Sequence, residues 1–143
     1  MRSYSRADEG LGFLLRYENV AWYDGGEVRI LDRRVYPRRV EFVTCRTHRE
    51  VAQALTDMVT QSTGPFTAAA MGMALAAWEC RDRTAEQQVA YLEQAMDTIS
   101  HARPTTVGRM QLICGGCLEV AKAAIAQGVP DVALAIRDYT VAT

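Results

Sequence analysis

Hydrophobic positions along the chain change their period near residue 46. Before it they tend to recur every second residue, the spacing of a half-buried strand. Tyr17 to Tyr23 is rich in β-formers, with Val20 and Trp22 on one face. Glu27 to Leu31 alternates, with Val28 and Ile30 on one side. Between them lies Asp24-Gly25-Gly26, a turn sequence because glycine enters left-handed backbone without penalty. The two runs therefore predict an antiparallel hairpin. Val35-Tyr36-Pro37 breaks the pattern, and Val40-Glu41-Phe42-Val43 predicts a third strand.

After residue 46 the period becomes helical. Thr47-His48-Arg49-Glu50 has the form of a capping box, followed by Val51, Leu55, Met58 and Val59 at helical spacing. Gln61-Ser62-Thr63-Gly64-Pro65 interrupts it. An Ala-rich helix with Gly72 inside is predicted from about Phe66 to Glu79, and its small residues suit a buried central position. Thr84-Ala85-Glu86-Gln87 is a second capping box, opening a helix with Val89, Leu92, Met96 and Ile99 on one stripe. Arg103-Pro104-Thr105-Thr106 starts the next helix, whose apolar face is Val107, Met110, Cys114, Cys117, Leu118, Ala121 and Ile125. Gly128-Val129-Pro130 stops it, and Asp131 caps a last short helix through Ile136. The fold class is thus α+β: a small N-terminal antiparallel β-hairpin region followed by a mainly α-helical bundle. Residues 1–16 are expected to be a flexible extension. Residues 17–143 are expected to form one domain, with the hairpin region over 17–45 and the helical bundle over 47–143.

Composition narrows the function classes. The chain has 143 residues, 49% hydrophobic and 23% charged, which fits one self-supporting domain. Sixteen basic against 17 acidic residues give a net charge of −1, which argues against a nucleic-acid partner. No stretch approaches the roughly 18 apolar residues of a membrane span, so no membrane partner is expected. The N-terminal residues have no apolar signal region. Cys45, Cys80, Cys114 and Cys117 are then read as reduced thiols of a cytoplasmic protein.

Candidate chemistry is sparse. Cys114-Gly115-Gly116-Cys117 has redox spacing, but it falls about three turns into a helix on its apolar face, whereas a reactive pair needs a helix start. It predicts two core thiols. The isolated positions of Cys45 and Cys80 disfavour a tetrahedral zinc site, and His48 and His101 sit in no motif. Seven arginines (Arg29, Arg33, Arg34, Arg38, Arg39, Arg46 and Arg49) face three acids between Glu27 and Arg49, a run that suits a solvated hairpin surface. Arg103-Pro104-Thr105-Thr106 is more specific. Proline suits a first helical turn, free N–H groups there attract anions, and the adjacent arginine adds a two-pronged donor. No catalytic triad, phosphate loop or dinucleotide fingerprint occurs, so no catalytic residue, metal or cofactor is nominated.

The order of motifs resembles a known family. Val20-Ala21-Trp22-Tyr23-Asp24-Gly25-Gly26-Glu27-Val28-Arg29-Ile30-Leu31-Asp32 is similar to the opening hairpin of the methylthioribose-1-phosphate isomerases, which belong with the initiation-factor-2B alpha/beta/delta-like family. Ala70-Met71-Gly72-Met73-Ala74-Leu75-Ala76-Ala77 resembles the family's central helix, and Arg103-Pro104-Thr105-Thr106-Val107 its Arg-Pro-Thr-Ala-Val motif. The likeness runs from about Tyr17 to Gly128. It implies an N-terminal domain that packs beside a larger Rossmann-like domain carrying the catalytic Cys and Asp. None of the four cysteines here falls at that catalytic position. The family's Arg-Gly-Ala-Pro loop is replaced by Gln61-Ser62-Thr63-Gly64-Pro65, so Thr63 and Gly64 offer a hydroxyl and an N–H without the charge. The resemblance implies a phosphorylated sugar or nucleotide as ligand, met by Arg103, Thr105, Thr63 and Gly64. It also implies a Rossmann-like partner chain or a homo-oligomer. The expected role is a split subunit of a sugar-phosphate aldose–ketose isomerase; the alternative is a non-catalytic binding or regulatory module.

Overall fold

A computed structural model describes residues 16–142; the expected extension over 1–16 lies outside them except for Arg16. Three strands form an antiparallel sheet in the order β1 (Ala21–Asp24), β2 (Glu27–Leu31), β3 (Phe42–Cys45). Ala21 pairs with Ile30 and Tyr23 with Val28, and all four side chains are buried. Val20 and Trp22 do share a face, but it is the outer, half-buried one. The turn needs its glycines: Gly25 and Gly26 have φ of 55° and 85°. Gly26 has a second reason, since a Cβ there would lie 2.5 Å from the indole nitrogen of Trp78.

The third strand starts two residues later than the pattern predicts. Val40 is exposed, and the ladder begins at Phe42 opposite Leu31. That register puts Cys45 opposite Val28 and into the core, which a strand over residues 40–43 would not do. Residues 32–41 are held as a loop by Asp32, whose N–H donates to Glu41 O (2.8 Å) and whose carboxylate takes both prongs of Arg34.

Five helices follow among the described residues: α1 (His48–Thr56), α2 (Gly64–Glu79), α3 (Ala85–Ser100), α4 (Val107–Ala126) and α5 (Val132–Val141). Both capping boxes form, at Thr47 with Glu50 and at Thr84 with Gln87, and Asp131 caps α5 through Leu134 N. Three bounds differ from the sequence pattern. α1 stops at Thr56, because Met58 takes left-handed backbone (φ 60°) and turns out to solvent while Val59 returns inward. α2 starts at Gly64, since Pro65 sits in the first turn, where its missing N–H has no partner to lose. α5 runs on to Val141, which closes the core behind Ile136.

α2 is the hub. Twelve of its 16 residues are buried, and it touches α1, α3, α4, α5, β1 and β2. Small side chains permit this. A Cβ on Gly72 would meet Val51 of α1 and Ile99 of α3 at 3.0 Å, tighter than side chains normally allow. Met71, Met73 and Leu75 fill the space between, each burial being worth roughly 1.5–3 kcal/mol. None of the helices among the described residues is long and apolar enough to cross a membrane.

Candidate functional site

Two helices begin differently from the rest. α1, α3 and α5 start under a side-chain cap, whereas neither Thr63 before α2 nor Thr106 before α4 caps its helix. Neither α2 nor α4 carries an acidic residue in its first turn. Backbone carbonyls take the place of a side-chain cap: Gly64 N–H donates to Gln61 O (3.1 Å) and Phe66 N–H to Thr63 O (3.2 Å) at the start of α2, where Pro65 has no N–H, and Thr106 N–H donates to Arg103 O (3.3 Å) before α4.

The fold brings these two starts to one end of the bundle. Arg103 lies just before the 3-10 turn Pro104–Thr106 that leads into α4. Its Nε donates to Leu55 O (2.7 Å) and its Nη2 to Thr60 O (2.6 Å). Thr60 is buried, and its side chain fills the space where Gly64, the first residue of α2, has no Cβ. Arg109, in the first turn of α4, stacks over Phe66 of α2 at 4.6 Å. Arg103, Thr105, Thr63 and Gly64, nominated by the sequence, thus gather around one junction. Thr63 and Thr105 are exposed, Arg103 is half-buried and Gly64 is buried. Burial pulls the Arg103 pKa down from its ordinary value, yet a guanidinium keeps its charge. Two of its five N–H groups are used on carbonyls. Thr60 and Arg109 were not singled out by the sequence, and nothing in the local pattern marks either one.

The polar groups gathered at this junction are threonine hydroxyls and two guanidinium groups, those of Arg103 and Arg109. The Thr106 hydroxyl oxygen is buried there with no hydrogen-bond partner among the described residues.

Elsewhere the polar groups are structural. His48 Nδ1 lies 2.7 Å from Glu79 Oε1, and Tyr91 donates to Glu79 Oε2 at 2.9 Å. Burial opposes the Glu79 charge, but bonds from His48 and Tyr91 outweigh it and hold its pKa below the usual value. The same burial, with the Glu79 charge, pushes Tyr91 up to about 12. All four cysteines are buried and unpaired; burial pushes Cys114 to about 12, and Cys117 and Cys45 to about 11. No cluster of three or more metal-ligating side chains occurs among the described residues. Several of the hairpin-region arginines are committed locally, Arg34 to Asp32, Arg39 to Glu41, Arg46 to Glu27 and Arg29 to the Phe42 ring.

A groove of about 810 Å³ runs between α2, α4 and α5, lined by Phe66, Ala70, Leu112, Ile113, Val120 and Tyr139 among others. Leu112 is 79% exposed and Tyr139 52% exposed. Large apolar side chains in that state mark a surface suited to covering.

No protein-family profile matches the chain. Methylthioribose-1-phosphate isomerase of Thermotoga maritima is 32% identical over 94 residues, which are 65% of this chain and 26% of that protein. The chain thus matches about a quarter of that relative's length. Among solved structures, translation initiation factor eIF-2B, subunit delta, from A. fulgidus superposes with a TM-score of 0.72 at 24% identity, over 84% of this chain and 35% of that one. The 5-methylthioribose 1-phosphate isomerase of Pyrococcus horikoshii gives 0.67 at 21% identity, over 84% and 36%. The two structures share the fold, and the sequence match carries the kinship. The sequence match and the shared fold together support an N-terminal domain of the methylthioribose-1-phosphate isomerase and initiation-factor-2B alpha/beta/delta-like family.

Proposed function

We propose that this chain is the helical part of a split sugar-phosphate aldose–ketose isomerase, completed by a separate Rossmann-like chain. The observation that supports the reading is the gathering of the Arg103 and Arg109 guanidinium groups beside the starts of α2 and α4, chemistry that suits a phosphate. The Thr63 and Thr105 hydroxyls and the remaining N–H groups of Arg103 would bind it; Gly64 N–H is already committed to Gln61 O and serves only to shape the turn. Isomerisation moves a proton between C1 and C2, so the groups that take and return it must be held near both carbons. In this reading those groups come from the partner, and this chain anchors the phosphate. The groove with Leu112 and Tyr139 is where the partner would seat. A cytoplasmic setting suits four unpaired thiols.

One observation favours a second reading, a binding or regulatory module without chemistry. Arg103 uses two donors on backbone carbonyls, and no arginine stands within Gln61–Pro65.

Purified chain, a purified Rossmann-like half of the family and their mixture are each given methylthioribose-1-phosphate, and ketose formation is followed. Turnover in the mixture alone, lost with Leu112→Asp in this chain, is the expected result. Turnover by this chain alone overturns the split-enzyme reading. Ligand binding with no turnover in any sample selects the module.

A further inference from the structure

We propose that a cleft at the far end of the bundle binds a free α-amino acid with an apolar side chain, Arg81 taking its carboxylate and Asp131 its ammonium group. The site lies apart from the Arg103 junction and does not depend on the sugar-phosphate reading. That junction sits at Gly64, and Trp78 stands roughly 20 Å away along α2, at about 1.5 Å per residue.

The cleft encloses about 350 Å³, a size that suits a small ligand. It opens where α2 and α4 end and α3 and α5 begin. Leu92, Ile125, Val132 and Ala133 give it an apolar wall, and Leu92 and Ala133 are buried. Trp78 closes one side. Gly26 of the hairpin turn packs against its indole nitrogen, and the central carbon of the Arg81 guanidinium lies 3.6 Å from its ring centre. Arg81 Nη1 also donates to Trp78 O at 2.8 Å, so ring and backbone together fix the cation while the rest of its fork is unused.

Asp131 is fixed as well. One carboxylate oxygen accepts from Leu134 N at 3.1 Å, which leaves the other for a second donor. Burial lifts the pKa of Tyr23, the Asp131 charge adds to that rise and Arg81 opposes it, so both charges reach the same phenol. Yet the two do not pair. Among the described residues no ion pair joins Arg81 to Asp131, or either of them to another charged side chain.

Two opposite charges held on one cleft and kept from each other fit a zwitterion. A carboxylate can take parallel bonds from the guanidinium. The ammonium group then meets Asp131 beside the carboxyl ends of α2 and α4, where helix dipoles favour a cation. The side chain turns to Leu92, Ile125, Val132 and Ala133. A simple acid brings its charge near Asp131 and a simple amine brings its charge near Arg81, so each meets a repulsion that the amino acid avoids.

The test is calorimetry on the full chain with L-leucine, with isoamylamine, which lacks the carboxylate, and with isocaproate, which lacks the ammonium group. L-Leucine should bind at least about tenfold more tightly than either analogue. Arg81→Gln should weaken L-leucine at least about tenfold and leave isoamylamine no weaker, since the amine makes no use of the guanidinium. Asp131→Asn should weaken L-leucine likewise and leave isocaproate no weaker. Both positions are exposed, and asparagine still caps α5, so both variants should fold. No heat with L-leucine up to about 10 mM overturns the proposal. Equal affinity for the three ligands also overturns it, because the charges then play no part. So does a variant that weakens all three alike, since its residue is then structural. Phosphate is absent from every titration, so failure of the sugar-phosphate reading leaves this result untouched.

Discussion

Glu79 Oε1 accepts from both the backbone N–H (2.8 Å) and ring Nδ1 (2.7 Å) of His48, so the end of α2 is fastened to the start of α1 across 31 residues. One carboxylate oxygen serves as cap for a helix N–H and as anchor for a buried ring. Tyr91 of α3 takes the other oxygen, which brings a third helix to the same point.

Glu79→Gln should destabilise the fold by about 1–3 kcal/mol at neutral pH, because it leaves buried donors badly matched. The pH dependence has a definite sign. The folded pKa of Glu79 lies below its ordinary value, so its stabilisation is present above about 4.3 and is lost as pH falls through the folded value. Urea titrations from pH 7 to pH 3 should show a constant gap between the two proteins down to about pH 5, closing below it. A gap that widens in acid would contradict this account.

Gly64→Ala should destabilise by about 1–3 kcal/mol, since the new methyl collides with the Thr60 hydroxyl in a closed space. Adding Thr60→Ala should recover part of the loss, as the obstructing group is then gone. Thermal unfolding of the two single variants and the double variant measures the coupling. Simple additivity would mean that the loop shifts freely.

The capped helix starts were legible because a cap is local: Thr47 and Glu50, Thr84 and Gln87, or Asp131 alone state the geometry within four residues. The start of α2 was misplaced for want of such a mark. Pro65 was readable as a break, yet a proline in a first helical turn is also a beginning, and buried Gly64 decides between them. The four nominated site residues do lie at one junction. What Arg103 does there was out of reach, because its acceptors are backbone carbonyls 48 and 43 positions earlier, and a carbonyl has no sequence signature. The His48, Glu79 and Tyr91 cluster was hidden for the same reason, each residue being unremarkable among its own neighbours.

The thiols should be inert in the folded chain. All four are buried, and Cys114 and Cys117 are pushed to about 12 and about 11, so almost no thiolate exists at pH 8. Ellman's reagent should label the native chain slowly and the guanidinium-unfolded chain at once. Rapid native labelling of Cys114 or Cys117 would revive the redox interpretation of the pair.

Arg137 fastens α5 to the hairpin. Its Nη1 donates to Tyr23 O at 3.1 Å, and its guanidinium lies 4.7 Å from the Trp22 ring centre. Arg137→Met keeps much of the apolar stem and removes the cation, so it should cost about 1–2 kcal/mol. Tryptophan emission should shift in the folded variant, because the Trp22 environment changes. An unaltered spectrum with unaltered stability would show the contact to be idle.

Because the middle of α2, from Ala68 to Ala77, is buried among six other elements, its amides there open to water chiefly when the whole molecule unfolds. They should be the last protons in the chain to trade with solvent, at a rate that reads the global unfolding free energy directly. That spine gives the domain a built-in gauge: any ligand or companion chain, wherever it binds, will announce its affinity as slower exchange along Ala68 to Ala77.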